Sequence, residues 1–174
     1  YSLLAPGGDF VSTGRDMGHF LLMQLDGGQF QDEEILSPES ISAMQGVQVA
    51  QHPAMRGRAI GFAEWVEGDR RAFFHDGGAP GFLSRLFLIP EADVGFFVSH
   101  NNGNVYAFNR ELSTAVAERY AGGETAAGLP ALTAGEPIDL ATVSGYYADY
   151  DLSPYTFGKI NSLFNQFPVT VSPD

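Results

Sequence analysis

The sequence predicts an α+β fold: an antiparallel sheet of about four strands, a C-terminal helix packed on it, and short helices to one side. Three observations predict it. Two capped helical segments fall within residues 14–46. Between Ala59 and Ser99, strand-like apolar runs are separated by turn signals so short that neighbouring strands must be antiparallel. One amphipathic run over 105–120 then follows the last strand. With 44% apolar and 13% aromatic residues among 174, the chain has ample material for one packed core and an appendage.

In chain order, Thr13 is placed to cap a helix over 14–26. Asp16 favours its positive end, Met17, Phe20, Leu21 and Leu25 recur at helical spacing, and Gly27-Gly28 ends it. Ser37 with Pro38 predicts a second, short helix ending near Gln45 or Gly46, with Leu36 and Ile41 at the separation of a hydrophobic staple. Residues 47–57 show no clear period, and His52 reads as a loop histidine. Ala59–Val66 and Arg71–His75 read as strands joined by a turn at Glu67–Arg70, and Phe82–Ile89 and Val94–Ser99 as strands joined by Pro90-Glu91-Ala92-Asp93. In the 105–120 helix, Val105, Phe108, Leu112, Ala115, Val116 and Tyr120 lie largely along one face that can cover the sheet. The near-continuous apolar strands suggest that the sheet is covered on both faces, at least in part. The expected division is a body at 1–120, an Ala/Gly/Thr/Pro-rich linker at 121–137, and at 138–174 the start of a small appended β domain too short to bury a core alone.

Charge and composition exclude several functions. Nine Lys+Arg against 21 Asp+Glu give a net charge of −12, which repels nucleic acid and anionic membrane surfaces. No apolar run approaches the roughly 20 residues of a membrane span. The absence of cysteine removes disulfides, a thiolate nucleophile and a zinc ribbon, and is equally compatible with cytoplasm and exterior. His19, His52, His75 and His100 are scattered without a ligand-pair spacing, so no metal and no cofactor is expected. Tyr1 begins the chain with neither an initiator Met nor a basic segment, and the sequence reads as a piece of something longer.

The stretch with the layout of a site is Phe73-Phe74-His75-Asp76-Gly77-Gly78-Ala79-Pro80-Gly81-Phe82. A strand end can fix an imidazole, and glycines leave backbone N–H groups bare for a substrate oxygen. The same pattern also describes an ordinary glycine loop between two strands. Ser12, Ser84 and Ser99 sit in no G-x-S-x-G elbow, and the phenylalanines at strand spacing read as core.

Ala5-Pro6-Gly7-Gly8-Asp9-Phe10-Val11-Ser12-Thr13, Asp16-Met17, Leu36-Ser37-Pro38-Glu39, His75-Asp76-Gly77-Gly78-Ala79-Pro80-Gly81-Phe82, Leu88-Ile89-Pro90 and Asn101-Asn102 follow in an order that resembles the C-terminal part of the serine β-lactamase-like hydrolases. That superfamily includes class C β-lactamases, penicillin-binding D,D-peptidases, D-aminopeptidases and family VIII esterases. The resemblance implies a partial β-lactamase/transpeptidase-like fold, an acyl-enzyme mechanism, and a secreted or periplasmic setting. In the family, a serine of an S-x-x-K motif attacks a carbonyl, and the lysine and a tyrosine of a Y-x-N motif move protons. A K-T-G or H-x-G motif lines the opposite wall. His75-Asp76-Gly77 matches that third motif. By this likeness His75 and Gly78 are the catalytic residues, the first orienting and electrostatic and the second an oxyanion N–H. Asp76, Gly77, Ala79 and Phe82 are then the substrate-binding residues along the strand edge.

The departures are equally informative. Lys159 is the sole lysine and Thr156 stands three residues before it, so no S-x-x-K exists in these residues, and Tyr106-Ala107-Phe108-Asn109 has neither the spacing nor the place of Y-x-N. The chain is therefore expected to carry the H-x-G wall without its nucleophile and base, and to be inactive alone. Asp76 replaces the Thr common in β-lactamases and should repel an anionic β-lactam carboxylate, which favours an esterase or peptidase parent. The expected partners are a small acyl substrate (ester, D-amino-acid amide or β-lactam) and a second copy or the missing N-terminal part. The alternative is a non-catalytic association or binding module.

Overall fold

A computed structural model describes residues 10–50, 55–67, 70–120, 145–148 and 166–169. The chain divides into two compact units, Tyr1–Ala131 and Leu132–Asp174. Helix α1 (Gly14–Leu25) starts as its sequence dictates: the Thr13 side chain accepts from the Asp16 N–H at 3.1 Å and donates to the Asp16 carboxylate at 2.8 Å. It ends where Gly27 and Gly28 turn to φ +61° and +101°. A side chain at position 28 would collide with the Leu36 carbonyl oxygen, which only glycine avoids. Two short strands that periodicity did not signal follow, β1 (Gln29–Phe30) and β2 (Glu33–Glu34), paired around Gln31 and Asp32 at positive φ. Helix α2 (Pro38–Gln45) begins at the Ser37 cap and buries Ile41.

The first unit's main sheet has the order β3 (Ala63–Glu67), β4 (Arg70–Ala79), β5 (Phe82–Ile89), β6 (Val94–His100), all antiparallel. Helix α3 (Tyr106–Tyr120) follows β6. Alternation along the strands sorts the core into two faces. On one, Phe73, Leu86 and Leu88 pack with Leu21 of α1 and with Phe62; on the other, Trp65, Ala72, Phe87 and Ile89 pack with Ala117 of α3. The first helix thus covers the face opposite α3. Phe87 anchors the α3 side, fully buried between an edge-on Trp65 ring at 5.6 Å and a stacked Phe96 at 5.3 Å.

Two boundaries differ from expectation, each for a local reason. β3 begins at Ala63 and not at Ala59, because Ala59–Phe62 fold into a turn closed by the Ala59 N–H on the Phe62 carbonyl, with Gly61 at φ +78°. β4 runs through the glycine cluster to Ala79 instead of stopping at His75. Pro80-Gly81, with Gly81 at φ +83°, makes a two-residue turn that lets β5 pair back along residues 73–79. The irregular stretch before β3 is tied down by a buried carboxylate, Glu64, which accepts from the Gly57 N–H at 2.8 Å and from Arg71 at 2.7 Å. The expected linker, His52 and Lys159 lie outside the described residues. In the second unit, β7 (Gly145–Ala148) and β8 (Gln166–Val169) form an antiparallel pair. Among the described residues no helix is long and apolar enough to cross a membrane.

Candidate active site

The site is built on the last five residues of β4. Opposite Phe74 its outer neighbour β3 has reached its first residue, Ala63, so among the described residues β4 is paired on one side only from His75 to Ala79. Which amides are free follows from the turn. A two-residue connection makes Ala79 and Phe82 a hydrogen-bonded pair, so Gly77↔Ser84 and His75↔Leu86 are bonded pairs as well. The N–H groups of Asp76 and Gly78 consequently point away from β5, out of the open strand edge. Glycine at 78 leaves that amide without a shielding side chain.

His75 and Gly77 stand on the α1 face. They line an open cleft of about 250 Å³ together with Ser84 and Leu86 of β5, Phe97 of β6, Met17 and Phe20 of α1, Met44 of α2, and Gly61 and Phe62 of the turn before β3. The His75 side chain is exposed at its rim and not sealed in the core. The Ser84 hydroxyl donates to the Gly77 carbonyl at 3.3 Å. A Cβ on Gly77 would lie 2.6 Å from the Ser84 hydroxyl oxygen, so a larger residue there would make the Ser84 side chain move aside.

Asp76 faces the other way. Its two carboxylate oxygens accept from Arg85 Nε at 2.6 Å and Nη2 at 2.7 Å, a bidentate pair under α3. Arg85 is itself buried, stacks its guanidinium 4.7 Å over the Phe74 ring, and donates through Nη1 to the Ser113 hydroxyl at 3.2 Å. Ser113 in turn donates to the Asn109 carbonyl at 2.8 Å. The Asp76 charge is therefore neutralised behind the strand, and it is not presented to the cleft. Gly78 also lies toward α3, where a Cβ would sit 3.4 Å from the Tyr106 hydroxyl. Ala79 and Phe82 flank the turn, both exposed, beyond the cleft. The structure thus brings His75 and Gly77 to one wall, the Gly78 N–H to the edge beside it, and Asp76 to the back.

His100, at the end of β6, shares a 2.8 Å hydrogen bond with Asn109 and packs edge-on against Phe108, which anchors α3. His19 rests on Phe30. Among the described residues no cluster of three potential metal ligands exists. Periodicity did not single out Arg85 or the contribution of α1 and α2 to the cleft. Two polar residues, Ser84 and Arg85, inside the apolar run Phe82–Ile89 were the available signal.

The Beta-lactamase family model matches residues 1–121. The chain belongs to that family. Its beta-lactamase-like part spans α1 to α3, with the His75-Asp76-Gly77 wall and the open edge at its centre. Among solved structures, the octameric penicillin-binding protein homologue from Pyrococcus abyssi is similar at 22% identity and a TM-score of 0.49, covering 94% of this chain and 33% of that one. SurE is similar at 20% identity and a TM-score of 0.47, covering 87% of this chain and 32% of that one. The chain spans about a third of the length of each. None of the curated proteins matches it.

Proposed function

We propose that the chain supplies one wall of the acyl-transfer site of a serine hydrolase. The observation that carries this reading is the unpaired edge of β4, where the outward N–H of Gly78 adjoins an exposed His75 at the mouth of a cleft. In this reading a serine hydroxyl attacks the scissile carbonyl, forming a C–O bond. The Gly78 N–H donates to the developing oxyanion, and His75 orients the substrate and biases the attacking group's base. The leaving alcohol or amine departs with a proton that the base relays, and water then hydrolyses the acyl-enzyme. Gly77, Ala79 and Phe82 border the substrate along the edge, while Asp76 acts through Arg85 to hold the strand. With Asp76 paired to Arg85, its charge does not argue against an anionic substrate, so a β-lactam stands beside esters and D-amino-acid amides as a candidate acyl substrate.

The nucleophile and base belong, on this proposal, to a segment outside these 174 residues that seats against the apolar cleft floor of Met17, Phe20, Met44, Phe62, Leu86 and Phe97. Residues 1–120 then form the hydrolase portion, 121–137 a linker and 138–174 an appended β domain. The absence of S-x-x-K favours a second reading, a non-catalytic association module, in which the same cleft serves only pairing. A fluorophosphonate probe separates the two. Labelling of a longer chain that includes the preceding segment, with hydrolysis of a nitrophenyl ester and no labelling of the 174-residue chain, is the expected result. If the longer chain takes no label and turns over no ester, the association reading replaces the enzymatic one. If the 174-residue chain is labelled at one of its own serines, the nucleophile has been misplaced.

A further inference from the structure

The loop from β6 to α3 carries the one Asn-Gly pair of the chain, Asn102-Gly103, and both residues are exposed. We propose that Asn102 is a site of self-modification: its side chain cyclises onto the Gly103 nitrogen, and the ring opens to aspartate and isoaspartate, the latter releasing the loop from the β4–β5 hairpin tip. The chemistry needs only water. It is independent of the acyl-transfer reading of the β4 edge.

In the first step the Gly103 nitrogen gives its proton to solvent and bonds to Asn102 Cγ, while the Cγ–Nδ2 bond breaks and ammonia leaves with a proton taken back from solvent. Water then opens the five-membered ring. Attack at Cγ yields aspartate, and attack at the main-chain carbonyl carbon yields isoaspartate, whose main chain is longer by one carbon. The loop is arranged for the ring closure. Asn102 Oδ1 accepts from the Asn104 N–H at 2.9 Å, which folds the side-chain carbonyl back over the Gly103 peptide. The same bond places a donor on the oxygen that becomes anionic as the nitrogen attacks. Gly103 has no side chain to shield its nitrogen. Among the described residues neither the Gly103 N–H nor Asn102 Nδ2 has a hydrogen-bond partner, so nucleophile and leaving group are both untied.

Comparable positions lack these features. Asp26-Gly27 and Asp76-Gly77 offer a carboxylate, a poorer electrophile than an amide. Asp76 is also held by Arg85, and the Gly77 N–H is tied to Ser84 in the ladder. Every other asparagine is followed by a residue whose side chain crowds the attacking nitrogen, and Asn109 is buried within α3 as well. The place of the loop sets the consequence. A Cβ on Gly103 would lie 3.8 Å from the Gly81 nitrogen and 4.0 Å from the Ala79 oxygen, so the loop rests directly on the hairpin tip. Aspartate keeps an oxygen for the Asn104 N–H and leaves that contact in place. Isoaspartate lengthens the main chain just before Gly103, shifts the acceptor, and adds a charge where loop and tip meet.

The test ages the 174-residue chain in warm, mildly alkaline buffer and follows it by ion exchange, peptide mapping and labelling with an isoaspartate-specific methyltransferase. The expected first product is more acidic by one charge, maps to Asn102, and accepts methyl groups. Asn102→Gln should abolish it, because the longer side chain would have to close a six-membered ring. Asn104→Pro keeps the Asn-Gly pair but removes the donor, and should slow the reaction by about tenfold, the rate equivalent of one neutral hydrogen bond. In ¹⁵N-labelled chain the isoaspartate fraction should show a shifted Gly81 amide resonance, whereas Asn102→Asp should leave that resonance in place. An aged chain that stays intact at Asn102, or that changes first at another asparagine, overturns the site. An unaltered rate in Asn104→Pro overturns the assisting donor, and an unmoved Gly81 resonance overturns the release of the tip.

Discussion

Replacing Arg85 with Met tests whether the ion pair behind the motif strand holds it in place. The substitution keeps most of the side-chain length and removes the guanidinium. Asp76 then loses both hydrogen bonds to its carboxylate, Ser113 loses a donor, and Phe74 loses the cation 4.7 Å above its ring. Breaking a buried pair costs about 3–5 kcal/mol because a charge is left behind. Here Arg85 is 8% exposed but Asp76 is 23% exposed, so water recovers part of the loss and about 2–3 kcal/mol is expected. Trp65, the only tryptophan, is buried in the first unit, so its fluorescence reports that unit's unfolding alone. With a urea m-value of about 1.5 kcal/mol per molar, the midpoint should fall by about 1.5 M. In Asp76→Asn/Arg85→Met the stranded charge is gone, so the double variant should be more stable than the sum of the single costs by at least about 1.5 kcal/mol. A coupling within about 0.5 kcal/mol of zero would sink the argument that Arg85 neutralises Asp76 and pins the strand.

Three further outcomes are expected. His75→Ala should leave the unfolding free energy within about 0.5 kcal/mol of the parent, since the side chain is exposed, yet lower ester turnover of the longer chain by about 10²-fold; unchanged turnover would remove His75 from the site. Gly77→Ala forces Ser84 to rotate and give up its bond to the Gly77 carbonyl, costing about 1 kcal/mol with Ser84 present and little in a Ser84→Ala background; equal cost in both would contradict the close approach. Glu39, in the first turn of α2, has its pKa lowered from the ordinary glutamate value by its backbone hydrogen bond and then by Ser37. A carboxyl depressed on folding contributes stability above its unfolded pKa, and that contribution disappears as pH falls through the folded value. Carboxyl ¹³C titration should show Ser37→Ala moving Glu39 upward, and no movement would remove Ser37 as a cause.

What was legible in the sequence was local. Thr13 and Ser37 announced their helices because a cap and the turn it opens are adjacent in sequence, and Pro90-Glu91-Ala92-Asp93 announced the turn before β6 for the same reason. His75 and the glycines could be singled out as a group, since an imidazole and bare amides at one strand are all within a few residues. The direction of Asp76 was not legible. A position one residue from His75 in a strand faces the opposite side, but only once the strand is known to continue through Gly77 and Gly78, and that continuation depends on pairing with Leu83 and Ser84. The short β1–β2 pair escaped because two residues carry no period, and the cleft's helical wall escaped because Met17 and Met44 are brought to His75 by the tertiary fold alone.

The turn at Ala59–Phe62 accounts for both halves of the site. Had β3 begun at Ala59, as its apolar pattern invites, four more residues would have continued the ladder beyond Ala63 and covered the amides of Asp76 and Gly78. Instead Gly61, at φ +78°, bends the chain off the edge, and Phe62 drops onto the α1 face against Phe73 and Leu86. The same bend that bares the edge also builds the cleft wall beside His75, to which Gly61 and Phe62 both contribute. Unpaired strand edges invite aggregation and are ordinarily covered or blunted. An edge kept open by a specific glycine turn, with a cleft beside it, has the room that the proposed acyl site requires.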